Sequence, residues 1–351
     1  MKTEARREPH PYVQYLNEKY GTYKKYLAQE GLPVIEGHYV EDIRTLPLKE
    51  WPRRGGFGAF INLSEQSIDD AYVCEIPPGK GLNPQRQLYE ELVYIVAGIG
   101  ATSVRFENGR EQIFEWKEGS VFAIPLNCLH QHFNADGKKP ARYVSVTSAP
   151  LMMNLFNDQD FIFNNDFQFK RRYAGEEDYF RREKFVEGVK GGLWETNFIA
   201  DIREFMTPKR LIGNWRGNKM KHTFICMASN VMKTHVAQFE VGTYKKAHRH
   251  GPGAHIYILN GSGYTLMWAP GEPKKKYNWQ EGSLLSPPAG WYHQHFNTGH
   301  EPVRHLAFHR PAVINYGRSE TRHEIPYEEE DLDVKELFEA ELAKNGIASD
   351  M

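Results

Sequence analysis

Three histidines carry the strongest chemical signal in the sequence. His248 and His250 are separated only by Arg249, and His293 follows within Trp291-Tyr292-His293-Gln294-His295-Phe296-Asn297. On a strand, positions i and i+2 share a face, so His248 and His250 point the same way. Neutral imidazole is a ligand for iron, zinc, copper and nickel, so the chemistry to expect is a transition-metal site rather than a magnesium or calcium site. Two further residues are catalytic candidates. His295 shares a strand face with His293 and offers either a proton-transfer group or a structural one. Gln238, four residues before Gly242, offers either a hydrogen bond to a substrate carboxylate or a polar residue satisfied within the barrel.

The elements that must position these residues repeat along the chain at a constant offset of 163 residues. Gly79 matches Gly242, Arg86 matches Arg249, and Tyr94-Ile95 matches Tyr257-Ile258. Glu118-Gly119-Ser120 matches Glu281-Gly282-Ser283, and His130-Gln131-His132-Phe133-Asn134 recurs as His293-Gln294-His295-Phe296-Asn297. No gap is needed from Gly79 to Asn134, and a period this long means two copies of one domain. The copies differ where the chemistry lies. Gln85 and Gln87 stand in place of His248 and His250, and Glu91 stands in place of Ala254. Amide side chains are poor ligands for such metals, so the first copy is expected to be a metal-free scaffold with His130 as a relic.

Charge and composition narrow the partners. With 44 basic and 45 acidic residues in 351, the net charge of −1 gives no case for nucleic acid or a membrane surface. Three cysteines, Cys74, Cys128 and Cys226, are too few and too odd for a disulfide framework, which points to the reducing cytoplasm. The charged start, Met1 to Arg7, lacks an apolar core and does not read as a signal peptide, and no apolar run reaches transmembrane length.

Along the chain, residues 1–50 are expected to form a helical arm, with one helix over 10–30 from the spacing of Tyr12, Tyr15, Leu16, Tyr20, Tyr23 and Leu27. Gly and Pro residues between 45 and 60 mark a loop into the first barrel, over 51–150. Residues 151–222 link the copies, with a charged helical stretch near 176–186, and the second barrel covers 223–315. Residues 316–351 form an acidic tail whose Leu332, Val334, Leu337, Phe338 and Leu342 mark an amphipathic helix. Trp291, Tyr257 and Trp268 are candidates either for a flat-substrate pocket or for plain core. Arg304, His305 and His309 include at least one inward side chain whose register the sequence leaves open. His255 should face away from the interior, and Arg249 should face outward in an ion pair.

The two motifs together resemble those of the cupin family. The first reads glycine, five residues, His-x-His, and here Gly242 precedes His248-Arg249-His250, followed by Gly261. The second reads glycine, five residues, Pro-x-Gly, two residues, histidine, and here Gly282, Pro288, Gly290, His293 and Asn297 match throughout. The resemblance implies an all-β chain of two double-stranded β-helix barrels of the jelly-roll type, a bicupin, with N- and C-terminal helices. The alanine where many cupins have glutamate is similar to the gentisate, salicylate and 1-hydroxy-2-naphthoate dioxygenases. That resemblance implies Fe(II) held by His248, His250 and His293, with substrate hydroxyl and carboxylate chelated to the metal and O2 as co-substrate. The chain departs from that group in carrying its metal motif in the C-terminal copy.

The expectation is therefore a cytoplasmic metal-dependent dioxygenase acting on a small aromatic hydroxy acid. Manganese, nickel, zinc and copper stay open as the metal. An O2-independent lyase, hydrolase or isomerase and a non-catalytic metabolite-binding bicupin are the alternatives, because function lives in the site and not in the barrel. A homo-oligomer is the expected assembly.

Overall fold

A computed structural model describes residues 10–64, 68–106, 109–214, 219–251, 254–311 and 323–351. The charged first residues, 1–7, lie outside the described residues.

Short strands with alternating side chains close into two barrels, each built from a large sheet facing a small one. In Glu111–Lys117 the inward Phe114 and Trp116 are buried between exposed neighbours, the alternation of a half-buried strand. Glu91–Ala97 and Ala254–Asn260 are buried on both faces, because one face lines a barrel and the other packs against the opposite barrel. In the first barrel the small sheet is Leu129–Asn134, Ile99–Arg105 and Glu111–Lys117; the large one includes Asp70–Ile76, Ala141–Thr147, Glu91–Ala97 and Val121–Ile124. In the second barrel Met220–Cys226, Met232–Phe239, Val303–Pro311 and Ala254–Asn260 lie side by side in the large sheet. Lys275–Gln280, Ser262–Trp268, Tyr292–Asn297, His248–Arg249 and His323–Glu324 form the small sheet. Gly98 and Gly261 turn the chain between sheets with φ of 95° and 86°, where a Cβ would strike Ala141 and Val303.

Strand pairing cuts across the segment boundaries read from the sequence. Tyr39–Val40, expected in the N-terminal arm, pairs with Leu284–Leu285 in the second barrel. Phe198–Ile199, expected in the linker, pairs with Val121 and Phe122 in the first. The two crossings are held alike: Ser283 Oγ donates to the Glu41 carbonyl at 2.6 Å, and Ser120 Oγ donates to the Ala200 carbonyl at 2.7 Å.

Several local expectations are corrected. The helix over 10–30 is two helices, Pro11–Tyr20 and Thr22–Glu30. Gly21 separates them, and a side chain there would run into the Asn17 carbonyl. The stretch read as a loop over 45–60 contains strands Lys49–Trp51 and Gly56–Leu63. The charged stretch near 176–186 is turns followed by strand Glu183–Val186, which pairs with Leu193–Thr196; sheet pairing outweighs its weak helical pattern. The C-terminal helix Leu332–Lys344 buries Val334, Phe338 and Leu342 against Tyr244 and Phe296 of the second barrel. Among the described residues no helix is long and apolar enough to cross a membrane, and the three cysteines are free thiols.

Candidate metal centre

His248 and His293 face each other directly across two antiparallel strands of the second barrel's small sheet, with ring centroids 4.1 Å apart. His250 follows where the strand ends, and its carbonyl accepts the Gly290 amide at 2.8 Å, which ties the first motif to the second. One ligand atom from each of the three imidazoles lies within 4.8 Å of the others.

Backbone carbonyls set the tautomer of all three rings. Nδ1 of His248 donates to the Lys246 carbonyl at 2.9 Å, that of His250 to the Gly251 carbonyl at 3.0 Å, and that of His293 to the Trp291 carbonyl at 3.3 Å. A carbonyl can only accept, so each Nδ1 carries the hydrogen and each Nε2 presents its lone pair. Three neutral nitrogen donors with their second nitrogens already oriented fit a divalent transition metal.

The triad lines a cavity of about 230 Å³, at the small end for ligand sites. Eight histidines contribute to its wall, so the cavity is imidazole-rich. His295 is one of them. Its Nδ1 lies 2.7 Å from Thr265 Oγ1, which also accepts the Trp279 Nε1 hydrogen at 2.9 Å. The first barrel repeats this unit as Trp116, Thr102 and His132 with the same two distances.

Gln238 is corrected as a site residue. On strand Met232–Phe239 the cavity receives Lys233, His235 and Ala237, so Gln238 has the opposite parity. It accepts from Arg304 Nε at 2.8 Å and donates to Glu240 at 3.0 Å. Glu75 and Arg142 form the matching pair on the first barrel, 2.7 Å apart. That pairing is the sequence signal that would have placed Gln238 and Arg304 together outside, and hence His305 and His309 inside. His235 and His222, which lie outside both motifs, also line the cavity and were missed, as was Lys245, one of the five unspecified residues between Gly242 and His248.

Other readings are also revised. Tyr257, Trp268 and Trp291 are not part of the cavity wall. Tyr257 packs on Tyr94 between the barrels, Trp268 stacks on Tyr292 at 5.4 Å, and Trp291 lies against His38. Arg249 sits over the Tyr292 ring at 5.1 Å and forms no ion pair among the described residues, and Arg86 donates to the Asn165 carbonyl. His255 does turn from the cavity, but into a fully buried contact with Asp69 of the first barrel, 3.3 Å from Nδ1.

The first barrel has the strand positions without the donors. Gln85 bridges to His130 as His248 pairs with His293. His130 keeps the same backbone contact, Nδ1 to the Cys128 carbonyl at 3.0 Å. The interior is filled instead by fully buried Arg54, stacked between Trp51 and Tyr72, and by fully buried Glu91.

The sequence matches no family model and no curated protein. Solved structures do resemble the fold. An oxalate decarboxylase structure concerned with substrate binding and reaction specificity superposes with a TM-score of 0.51 at 14% identity, covering 80% of this chain and 79% of that one. A deletion mutant of the Bacillus subtilis oxalate decarboxylase gives 0.50 at 15% identity, covering 79% and 78%. A study of the Mn(II) centres of the Bacillus subtilis enzyme gives 0.50 at 13% identity, covering 80% and 79%. At these identities the likeness is one of fold: two cupin barrels in one chain.

Proposed function

We propose that the second barrel is the catalytic half of a metal-dependent enzyme, with His248, His250 and His293 as the metal ligands. The convergence of three carbonyl-oriented imidazoles on one cavity carries this reading. Fe(II) is the preferred metal and dioxygenation of a small aromatic hydroxy acid the preferred activity, by the resemblance to three-histidine bicupin dioxygenases. Bound there, the metal supplies Lewis acidity and one-electron chemistry toward O2. The protein contributes neutral ligands, a small imidazole-lined cavity and an oriented His295. Its part is to hold the substrate in place, exclude bulk water and keep the Nε2 lone pairs aligned.

An O2-independent lyase is the second reading. It draws on the resemblance to structures of oxalate decarboxylase, one of them concerned with Mn(II) centres. Metal analysis of anaerobically purified protein, paired with O2 uptake on hydroxybenzoates, separates the two. Near-stoichiometric iron with O2 consumed, both lost in His250→Ala, supports the dioxygenase. Manganese with turnover of a small carboxylic acid and no net O2 uptake moves the assignment to the lyase.

A further inference from the structure

Helices Pro11–Tyr20 and Thr22–Glu30 follow one another across Gly21 but differ in what they cover. The second buries Thr22, Tyr23, Tyr26 and Leu27, with the Tyr26 ring 5.5 Å from that of Phe163. The first buries nothing. Its sequence is nevertheless that of a helix made to pack. Tyr12, Leu16 and Tyr20 recur every fourth residue with Val13 and Tyr15 beside them, a stripe of the kind that faces a core. Tyr12 is 64% and Tyr15 52% exposed. Isolated helices under about 12–15 residues are marginal in water, and this one has ten, so its stripe calls for a covering surface.

The same chain offers a surface of matching character. Helices Ala149–Phe156 and Gln159–Asn164, with the segment that follows them, border an open groove of about 700 Å³. Phe156, Phe161 and Phe167 line it and are 43%, 42% and 60% exposed. Apolar surface left open in one place marks a site of association. The groove also carries Asp158, Asp160 and Asp166, and residues 156–169 contain no Lys or Arg. The helix side has the opposite balance: over residues 10–25, Lys19, Lys24 and Lys25 stand against Glu18 alone. An aromatic helix with a basic flank and an aromatic groove with an acidic rim are complementary in both respects.

Within one copy the two do not meet, because no residue of the helix lines the groove. They are neighbours all the same. Thr22 Oγ1 donates to Asn157 Oδ1, and the Tyr23 amide donates to Asn154 Oδ1 at 3.0 Å. These bonds tie the start of the second helix to the end of Ala149–Phe156, so the uncovered helix and the groove flank one junction. Two complementary faces side by side on one molecule can each meet their counterpart across a two-fold axis.

We propose that a second copy of this chain covers this face, with helix Pro11–Tyr20 of each copy laid in the Phe156–Phe161–Phe167 groove of the other. The contact is made twice and closes on itself. The histidine triad takes no part in it, so the pairing stands independently of the metal-site reading.

Sedimentation velocity on the full 40.7 kDa chain tests the pairing. The wild type is expected as an even number of copies by about 100 μM, where even a pair of micromolar affinity is assembled. Tyr12→Ser with Tyr15→Ser removes the helix stripe, and Phe161→Ser with Phe167→Ser removes the groove. Each double variant alone is expected to halve the mass. Mixed in equal amounts, the two should associate again, since the intact helix of one meets the intact groove of the other. All four side chains are exposed, and circular dichroism melts report whether the variants fold. Asp166→Lys, which reverses charge at the rim, stands in for the groove variant if that one does not fold. A monomeric wild type, including one in which each helix closes its own groove, overturns the proposal. So does an unchanged mass in either folded variant, or a mixture that fails to associate.

Discussion

Tyr94 and Tyr257, equivalent residues of the two repeats, pack against each other with ring centroids 4.7 Å apart. A contact between equivalent positions is what a two-fold relationship produces, as in an isologous dimer. Both rings are almost fully buried, so the contact is part of the seam between barrels. Tyr257→Ala is expected to cost about 3–5 kcal/mol through lost burial and the cavity left behind. Urea denaturation checks this, and a loss below about 1 kcal/mol would show that the seam does not depend on the pair.

Metal affinity should separate the two barrels. Alanine at His248, His250 or His293 is expected to lower affinity for a divalent transition metal by at least about a hundredfold, since one of three protein ligands is removed. Alanine at His130, with the same backbone contact but glutamines beside it, should leave the metal content unchanged. Elemental analysis after dialysis against chelator reads both, and equal loss in the His130 variant would place metal in the wrong barrel.

The Trp–Thr–His units allow a matched comparison. Thr265→Val strips His295 Nδ1 and Trp279 Nε1 of their shared partner, and Thr102→Val does the same to His132 and Trp116. Each should cost about 1–3 kcal/mol, the range for leaving buried polar groups unsatisfied. Only Thr265→Val should also change turnover, because His295 lines the cavity. Melting curves and steady-state rates on the same two proteins test the pair, and equal kinetic effects would contradict it.

Acid should destabilise the fold through buried imidazoles. Burial holds His130 below the ordinary imidazole value, and His132 and His305 well below it. These rings stay neutral in the folded chain, whereas in the unfolded chain they take up protons below about pH 6.5. Their contribution is thus present above that pH and is lost as pH falls from there toward the depressed folded values. The slope is up to about 1.4 kcal/mol per pH unit for each ring. His132→Gln, far from the cavity in sequence and in the other barrel, should reduce the drop in melting temperature between pH 7.5 and 5.5. An unchanged drop would show that His132 does not contribute.

How much of this was legible in the sequence depended on the kind of signal. The two barrels were readable, because repeated glycines and motif residues recur at fixed spacing in chemically distinct places. The grouping of His248, His250 and His293 was readable for the same reason. The far wall of the cavity was not. His235 and His309 lie on strands with no motif, and a one-residue slip in register sends every side chain to the other face. Gln238 was misplaced by that parity. The repeat also slips by one residue after Asn134: Arg142 matches Arg304, where an offset of 163 would give His305. Short strands such as Tyr39–Val40 carry too few residues to show periodicity and exist only through their partners.

Those two crossed strands have a consequence for how the molecule came to be one chain. A cut after residue 150 would leave each fragment holding a strand that belongs to the other, so neither piece would be finished alone and the two together would be. This is the geometry that two copies exchanging arms would have, held here within one covalent thread. In that single thread the first barrel has a filled interior, and the strand it lends still completes the sheet of the barrel that holds the cavity.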